Sequence, residues 1–192
     1  MKKADIISKI DELIEGPVYL VDIFPGTVPR KPDNRYFEVE EFFQHSREEI
    51  DRKFTSILLK LYCYCDFWIS AWRPEHEIFE NPDVGQLTSL IKHCFTGEWK
   101  PRDCINIVLP ECDSMIILNG DDLYMEVYHP SGYLKSLILE LAQSEGLFFR
   151  QVSENSSGNA HLSGSWAEWQ IDKIDTVSKT AGTLPAVFIT GK

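Results

Sequence analysis

The sequence predicts an α+β domain: a mostly antiparallel sheet, with a meander around residues 104–128, and amphipathic helices packed on one face. Three observations predict it. Short apolar runs at 104–109, 115–118 and 123–128 follow one another at hairpin spacing. The segments between them, Pro110-Glu111-Cys112-Asp113-Ser114 and Asn119-Gly120-Asp121-Asp122, carry turn chemistry, and Asn-Gly tolerates the positive φ of a tight turn. Segments on both sides of the meander place apolar residues at helical spacing.

Taken in order, residues 5–15 set Ile6, Ile10, Leu13 and Ile14 on one helical face, and Gly16-Pro17 ends that helix. Val18 to Phe24 is short, apolar and rich in β-branched residues, which predicts a buried strand closed by Pro25-Gly26. Residues 25–35 hold three prolines and predict a surface loop, and Tyr36-Phe37-Glu38-Val39 predicts a second strand. A helix then starts near Ser46. Ser46-Arg47-Glu48-Glu49 fits a capping box. Ile50, Phe54, Ile57, Leu58, Leu61, Tyr62, Cys65 and Trp68 form the stripe that should make the main helix–sheet contact.

Residues 73–80 read as irregular. After Asn81-Pro82-Asp83 a helix is expected to bury Val84, Leu87, Ile91, Cys94 and Phe95, capped by Gly97. In the meander, Leu123, Met125 and Val127 should face the core, with Tyr124, Glu126 and Tyr128 opposite. Residues 131–145 predict a helix ended by Gly146, and residues 147–152 a strand. Residues 1–152 are therefore read as a single α+β domain. Residues 153–165, rich in Ser, Asn and Gly, are read as a flexible loop. Residues 166–192 are read as a C-terminal extension packed on or completing the same domain, with a short helix around Trp166 and Trp169 and a strand at 184–189.

With 192 residues and 43% hydrophobic content, the chain can build a core without metal or disulfides. Its net charge of −11 is spread over both halves, with no Lys/Arg cluster. Nucleic-acid binding draws most of its affinity from neutralised phosphates, so no nucleic acid is expected as a partner. Anionic membranes are disfavoured on the same ground, and no apolar run approaches the roughly 18 residues of a span. The start, Met1-Lys2-Lys3-Ala4-Asp5, is charged and amphipathic rather than a signal peptide. Five cysteines, an odd number, then read as reduced thiols in a cytoplasmic protein.

No motif carries chemistry. Cys63 and Cys65, read on a helix, point about 200° apart and cannot share a tetrahedral ion. That reading buries Cys65 and Cys94 and leaves Cys63 accessible. None of His45, His76, His93, His129 and His161 forms a metal-ligand spacing. Asn119-Gly120-Asp121-Asp122 lacks the alternating ligands of a calcium loop. Serine elbows and glycine-rich phosphate loops are missing too. No catalytic residue, metal or cofactor is assigned.

One surface stands out. Residues 103–134 hold six acidic residues and no Lys or Arg, and residues 33–51 hold seven against Arg35 and Arg47. Interleaved aromatics make an acidic face with aromatic anchors: Glu38, Glu40, Glu41, Asp121, Asp122, Tyr124, Glu126 and Tyr128. The bland alternative is a solvated face over core aromatics. The expected function is a non-enzymatic, cytosolic protein-binding domain, an immunity-like neutraliser of a basic protein. The alternative is a small enzyme or ligand-binding domain with a pocket near His129, lined by Asp22, Tyr128, His129 and Ser131.

Overall fold

Period-two alternation in the strands and 3.6-residue spacing in the helices set the architecture. The computed structural model describes residues 3–28, 35–72, 76–95, 104–120 and 123–152. The chain begins with helix α1 (Lys3–Ile14), strand β1 (Val18–Asp22) and helices α2 (Arg35–His45) and α3 (Arg47–Leu61). Strands β2 (Trp68–Trp72) and β3 (His76–Glu80) and helix α4 (Val84–Phe95) follow. Strand β4 (Cys104–Leu109), a 3-10 turn (Pro110–Cys112) and strands β5 (Ser114–Asn119) and β6 (Tyr124–Tyr128) make the meander. Helix α5 (Gly132–Ser144) and strand β7 (Phe148–Gln151) complete it.

The fold is α+β. Among the described residues, seven strands form one sheet in the order β3-β2-β4-β5-β6-β1-β7, and each neighbouring pair is antiparallel. Because β6 and β7 both run antiparallel to β1 between them, they are parallel to each other. That is why a helix, α5, joins them rather than a tight turn.

Alternation gives the sheet two faces. On one, Ile105, Ile107, Ile116, Leu118, Met125 and Val127 meet Phe54, Leu58 and Leu61 of α3, Leu87 and Ile91 of α4, and Leu134 and Ile138 of α5 in one continuous core. Each such buried side chain stabilises the fold by about 1.5–3 kcal/mol. The predicted inward set Leu123, Met125 and Val127 lies in this core. Helix α1 runs along β4 and β5 instead. Its buried Ile6, Ile10 and Leu13 stand outside that core, so α1 covers the opposite face, where Trp68, Val108 and Met115 are also buried.

Helix α5 ends as Gly146 predicts. Gly146 takes φ +71, its N–H bonds the Gln143 carbonyl, and the Leu147 N–H bonds the Ala142 carbonyl at 2.8 Å. That is the paired closure a left-handed glycine permits.

Several local readings are corrected. Tyr36-Phe37-Glu38-Val39 is helix, not strand: Tyr36, Val39 and Phe43 recur at helical spacing, and Phe43 on that side packs against the core. The capping box at Ser46 does not form. The Ser46 N–H already bonds the Phe42 and Phe43 carbonyls of the preceding helix, leaving Glu49 no donor to satisfy. Helix α3 stops at Leu61 rather than running to Trp68. Past that end, the Phe67 N–H donates to Asn81 Oδ1, and the Asn81 N–H donates back to the Phe67 carbonyl, both at 2.8 Å. This clamp, with Asn81 at φ +43, starts β2 at Trp68.

Residues 76–80 are not irregular but form β3, paired in register with β2. Val84 is exposed rather than buried, because it opens α4 on the solvent side. Cys63 and Cys65 lie past the end of α3, so a turn rather than helical phase separates them, with Cys63 exposed and Cys65 buried. Gly97, the loop at 153–165 and the extension at 166–192 lie outside the described residues.

Candidate functional site

Helix α2 has no buried residue. Its inner side is held by two aromatic contacts: Tyr36 leans on Phe24 with ring centroids 6.2 Å apart, and Phe43 packs against the core. Burial, then the charges of Glu40 and Asp22, push the Tyr36 phenol above its ordinary pKa. At 100° per residue, Phe37, Glu41, Glu38 and Phe42 share an outward arc of about 140°. Phe37 is 64% exposed and Phe42 66%. The exposed His45 lies within this arc and the exposed Arg35 borders it beside Phe42; from there to Arg47 the chain has no Lys or Arg, so the arc is mainly acidic and aromatic. Glu38 and Glu41 are exposed and Glu40 is half-buried on the Tyr36 side.

The C-terminal end of α2 is fastened to α3. Gln44 Oε1 accepts from Arg47 Nη1 at 2.8 Å, and the Arg47 guanidinium lies over the Phe95 ring, 5.5 Å from its centroid. Arg47 also faces Asp51 at 3.4 Å. Burial pushes the Asp51 carboxyl up to about 6, against the opposing pull of Arg47. The helix is therefore presented on a fixed base with Phe37 and Phe42 outward.

The remaining predicted residues are placed elsewhere. Tyr124, Glu126 and Tyr128 share the α1-side face of β6, as their alternation predicts. Tyr128 is buried and donates its phenol proton to Glu126 Oε2 at 2.9 Å. Burial, and then the Glu126 charge, push that phenol far above its ordinary pKa. Glu126 and Tyr128 thus satisfy each other, leaving α2, among the described residues, as the outward acidic and aromatic part of the predicted face. Asp121 and Asp122 lie outside the described residues.

Of the four residues grouped around His129, Asp22 stands apart. It pairs with Tyr124 at one end of β1, whereas Tyr128 pairs with Val18 at the other. Four residues of strand separate those ends by about 13 Å. Asp22 is buried, accepts from the Phe24 N–H at 3.0 Å and is bridged by Arg150 Nη2 at 2.6 Å. That bridge ties β1 to β7. His129 has φ +52, its N–H bonds the Pro17 carbonyl at 3.1 Å, and Ser114 Oγ bonds its carbonyl at 2.8 Å. Its ring fills the space that a side chain at Gly16 would need. Ser131 is exposed and precedes α5 without a side-chain cap bond.

Two features escaped the sequence reading. Asn106, in the middle of β4, is fully buried, and neither side-chain amide atom has a hydrogen-bond partner among the described residues. Next to it across the β2 pairing, Ser70 is also fully buried and bonds His76 Nε2 at 2.8 Å. A polar residue inside an apolar run, as in Cys-Ile-Asn-Ile-Val-Leu, was the available signal. Among the described residues no group of three or more His, Cys, Asp or Glu is placed to hold a metal ion, and no helix is long and apolar enough to cross a membrane. Comparison with protein-family models, curated proteins and solved structures finds no match to this chain.

Proposed function

We propose that this chain is a non-enzymatic protein-binding domain that captures a basic protein on the outward face of α2, in the manner of an immunity-type neutraliser. One observation carries the reading: two phenylalanines, each about two-thirds exposed, flank Glu38 and Glu41 on a helix with no buried residue. Burying a phenylalanine is worth about 1.5–3 kcal/mol, so a few kcal/mol of apolar driving force is left unused on this face. Aromatic anchors ringed by charge are the usual energetic centre of an interface. The occupant is basic because the carboxylates of Glu38 and Glu41 lie between the two phenylalanines, with Arg35 at the edge of the face, and the whole chain carries −11, which speeds encounter with positive surfaces.

The test uses the parent chain and two double variants, Phe37→Ser with Phe42→Ser and Glu38→Lys with Glu41→Lys. The parent should recover a basic protein from its host, and the purified pair should bind less tightly as salt rises. Each double variant should weaken that binding by about tenfold or more while melting like the parent. Unchanged affinity in both variants, or no basic protein recovered, overturns the reading.

A second reading, a ligand site near His129, has one observation in its favour. The positive φ of His129 is strained for a residue other than glycine, and its Nε2 is buried without a hydrogen-bond partner among the described residues. The ring lies against Gly16, however, so packing accounts for its position without a ligand.

A further inference from the structure

We propose that Cys65 and Cys112 form a modification site, a thiol pair that a peroxide converts to a reversible disulfide. Two independent placements bring them together. Strands β2 and β4 pair with Trp68 opposite Val108. Cys65 lies three residues before Trp68 and Cys112 four residues after Val108, so the pairing carries both to the same end of the sheet. There Cys65 is buried in the main core. The Cys112 side packs against the core that contains Cys65. The turn bearing Cys112 is braced, since Ser114 Oγ donates to the Cys112 carbonyl at 2.9 Å.

The two sulfurs differ in access, which sets the order of events. Cys65 is 8% exposed and Cys112 is half-buried. Burial, the neighbouring thiol, and the charges of Glu111 and Asp66 all keep Cys65 protonated, with its pKa pushed up to about 11. Cys112 is therefore the sulfur a peroxide reaches. Its thiol takes one oxygen to become a sulfenic acid, and the peroxide leaves as water. The Cys65 sulfur then attacks the sulfenyl sulfur. The S–S bond forms, the S–O bond breaks, and hydroxide leaves with the Cys65 proton as a second water. Two thiols lose two electrons and two protons, and one peroxide is reduced to two waters. The product staples the turn after α3 to the turn between β4 and β5.

The experiment treats the full chain with limiting hydrogen peroxide, alkylates free thiols after denaturation and maps the peptides by mass. The expected result is one intramolecular cross-link, Cys65 to Cys112, lost on adding a dithiol reductant, with Cys63, Cys94 and Cys104 alkylated. Cys63→Ser should leave the cross-link unchanged. Cys112→Ser should abolish it, with Cys65 still a free thiol in a chain that melts as a folded protein. Three results would each overturn the proposal: over-oxidation of Cys112 while Cys65 stays free, a Cys63–Cys112 bridge, or a cross-link only between chains.

Discussion

Gly16 looks like an ordinary helix stop, yet its neighbourhood explains why no larger residue stands there. A Cβ on Gly16 would fall inside the His129 ring, whose Nε2 is buried. Gly16→Ala should therefore destabilise the chain by about 1–3 kcal/mol through overpacking. Shrinking the ring should relieve it: Gly16→Ala should cost markedly less in a His129→Ala background, and a double-mutant cycle in denaturant measures the coupling. Additive effects would mean that the two residues do not press on each other. Asp51 supports a second prediction. Its carboxyl is raised to about 6 by burial, so the folded chain holds that proton more tightly than the unfolded chain does. Its contribution is fully present below about pH 4 and is lost as pH rises through about 6. Relative to the parent, Asp51→Asn should gain about 1 kcal/mol between pH 4 and pH 7, allowing for the carboxylate's partial contact with solvent. A parallel pair of stability-versus-pH curves would contradict that assignment. Residue roles of this kind were poorly legible in the sequence. Asp22 looked like a possible pocket acid, and its bridge to Arg150 spans 128 positions that no local pattern connects.

At the scale of elements, local signals were readable where one physical rule acted alone. Gly146 closes α5 because its left-handed backbone satisfies the last carbonyls, and β5 ends at Asn119, where the sequence places a break between strands. The misreadings occurred where two rules competed. Tyr36 to Val39 has the aromatic and β-branched content of a strand, and the helical recurrence that decides the matter extends to Phe43, outside the four-residue window. The stripe of α3 reads on through Cys65 and Trp68 because both are apolar and buried, but a turn buries Cys65 in the main core and strand β2 buries Trp68 on the α1 side of the sheet. Helix α2 is the element in which this matters for function. Read as a strand, Glu38 and Glu41 fall on opposite sides from their neighbours Phe37 and Phe42. As a helix, all four share one outward arc.

For the whole molecule, the class and the meander were legible because both follow from spacing along the chain. The strand order was not. β1, from the start of the chain, inserts between β6 and β7, and β2, paired locally with β3, joins β4 at the far edge; the β1 and β2–β4 pairings are set by long-range burial rather than by turns. The result is a sheet with α3, α4 and α5 on one face and α1 on the other, and with α2 projecting Phe37 and Phe42 outward. The central claim is that this projecting helix is the docking surface. Hydrogen exchange of the full chain, alone and with its captured basic protein, tests that claim most directly. The account predicts slowed exchange at backbone amides of residues 36–45, with the turn at 128–132 unchanged. Protection at 128–132 with residues 36–45 unaffected would contradict it and move the site to His129.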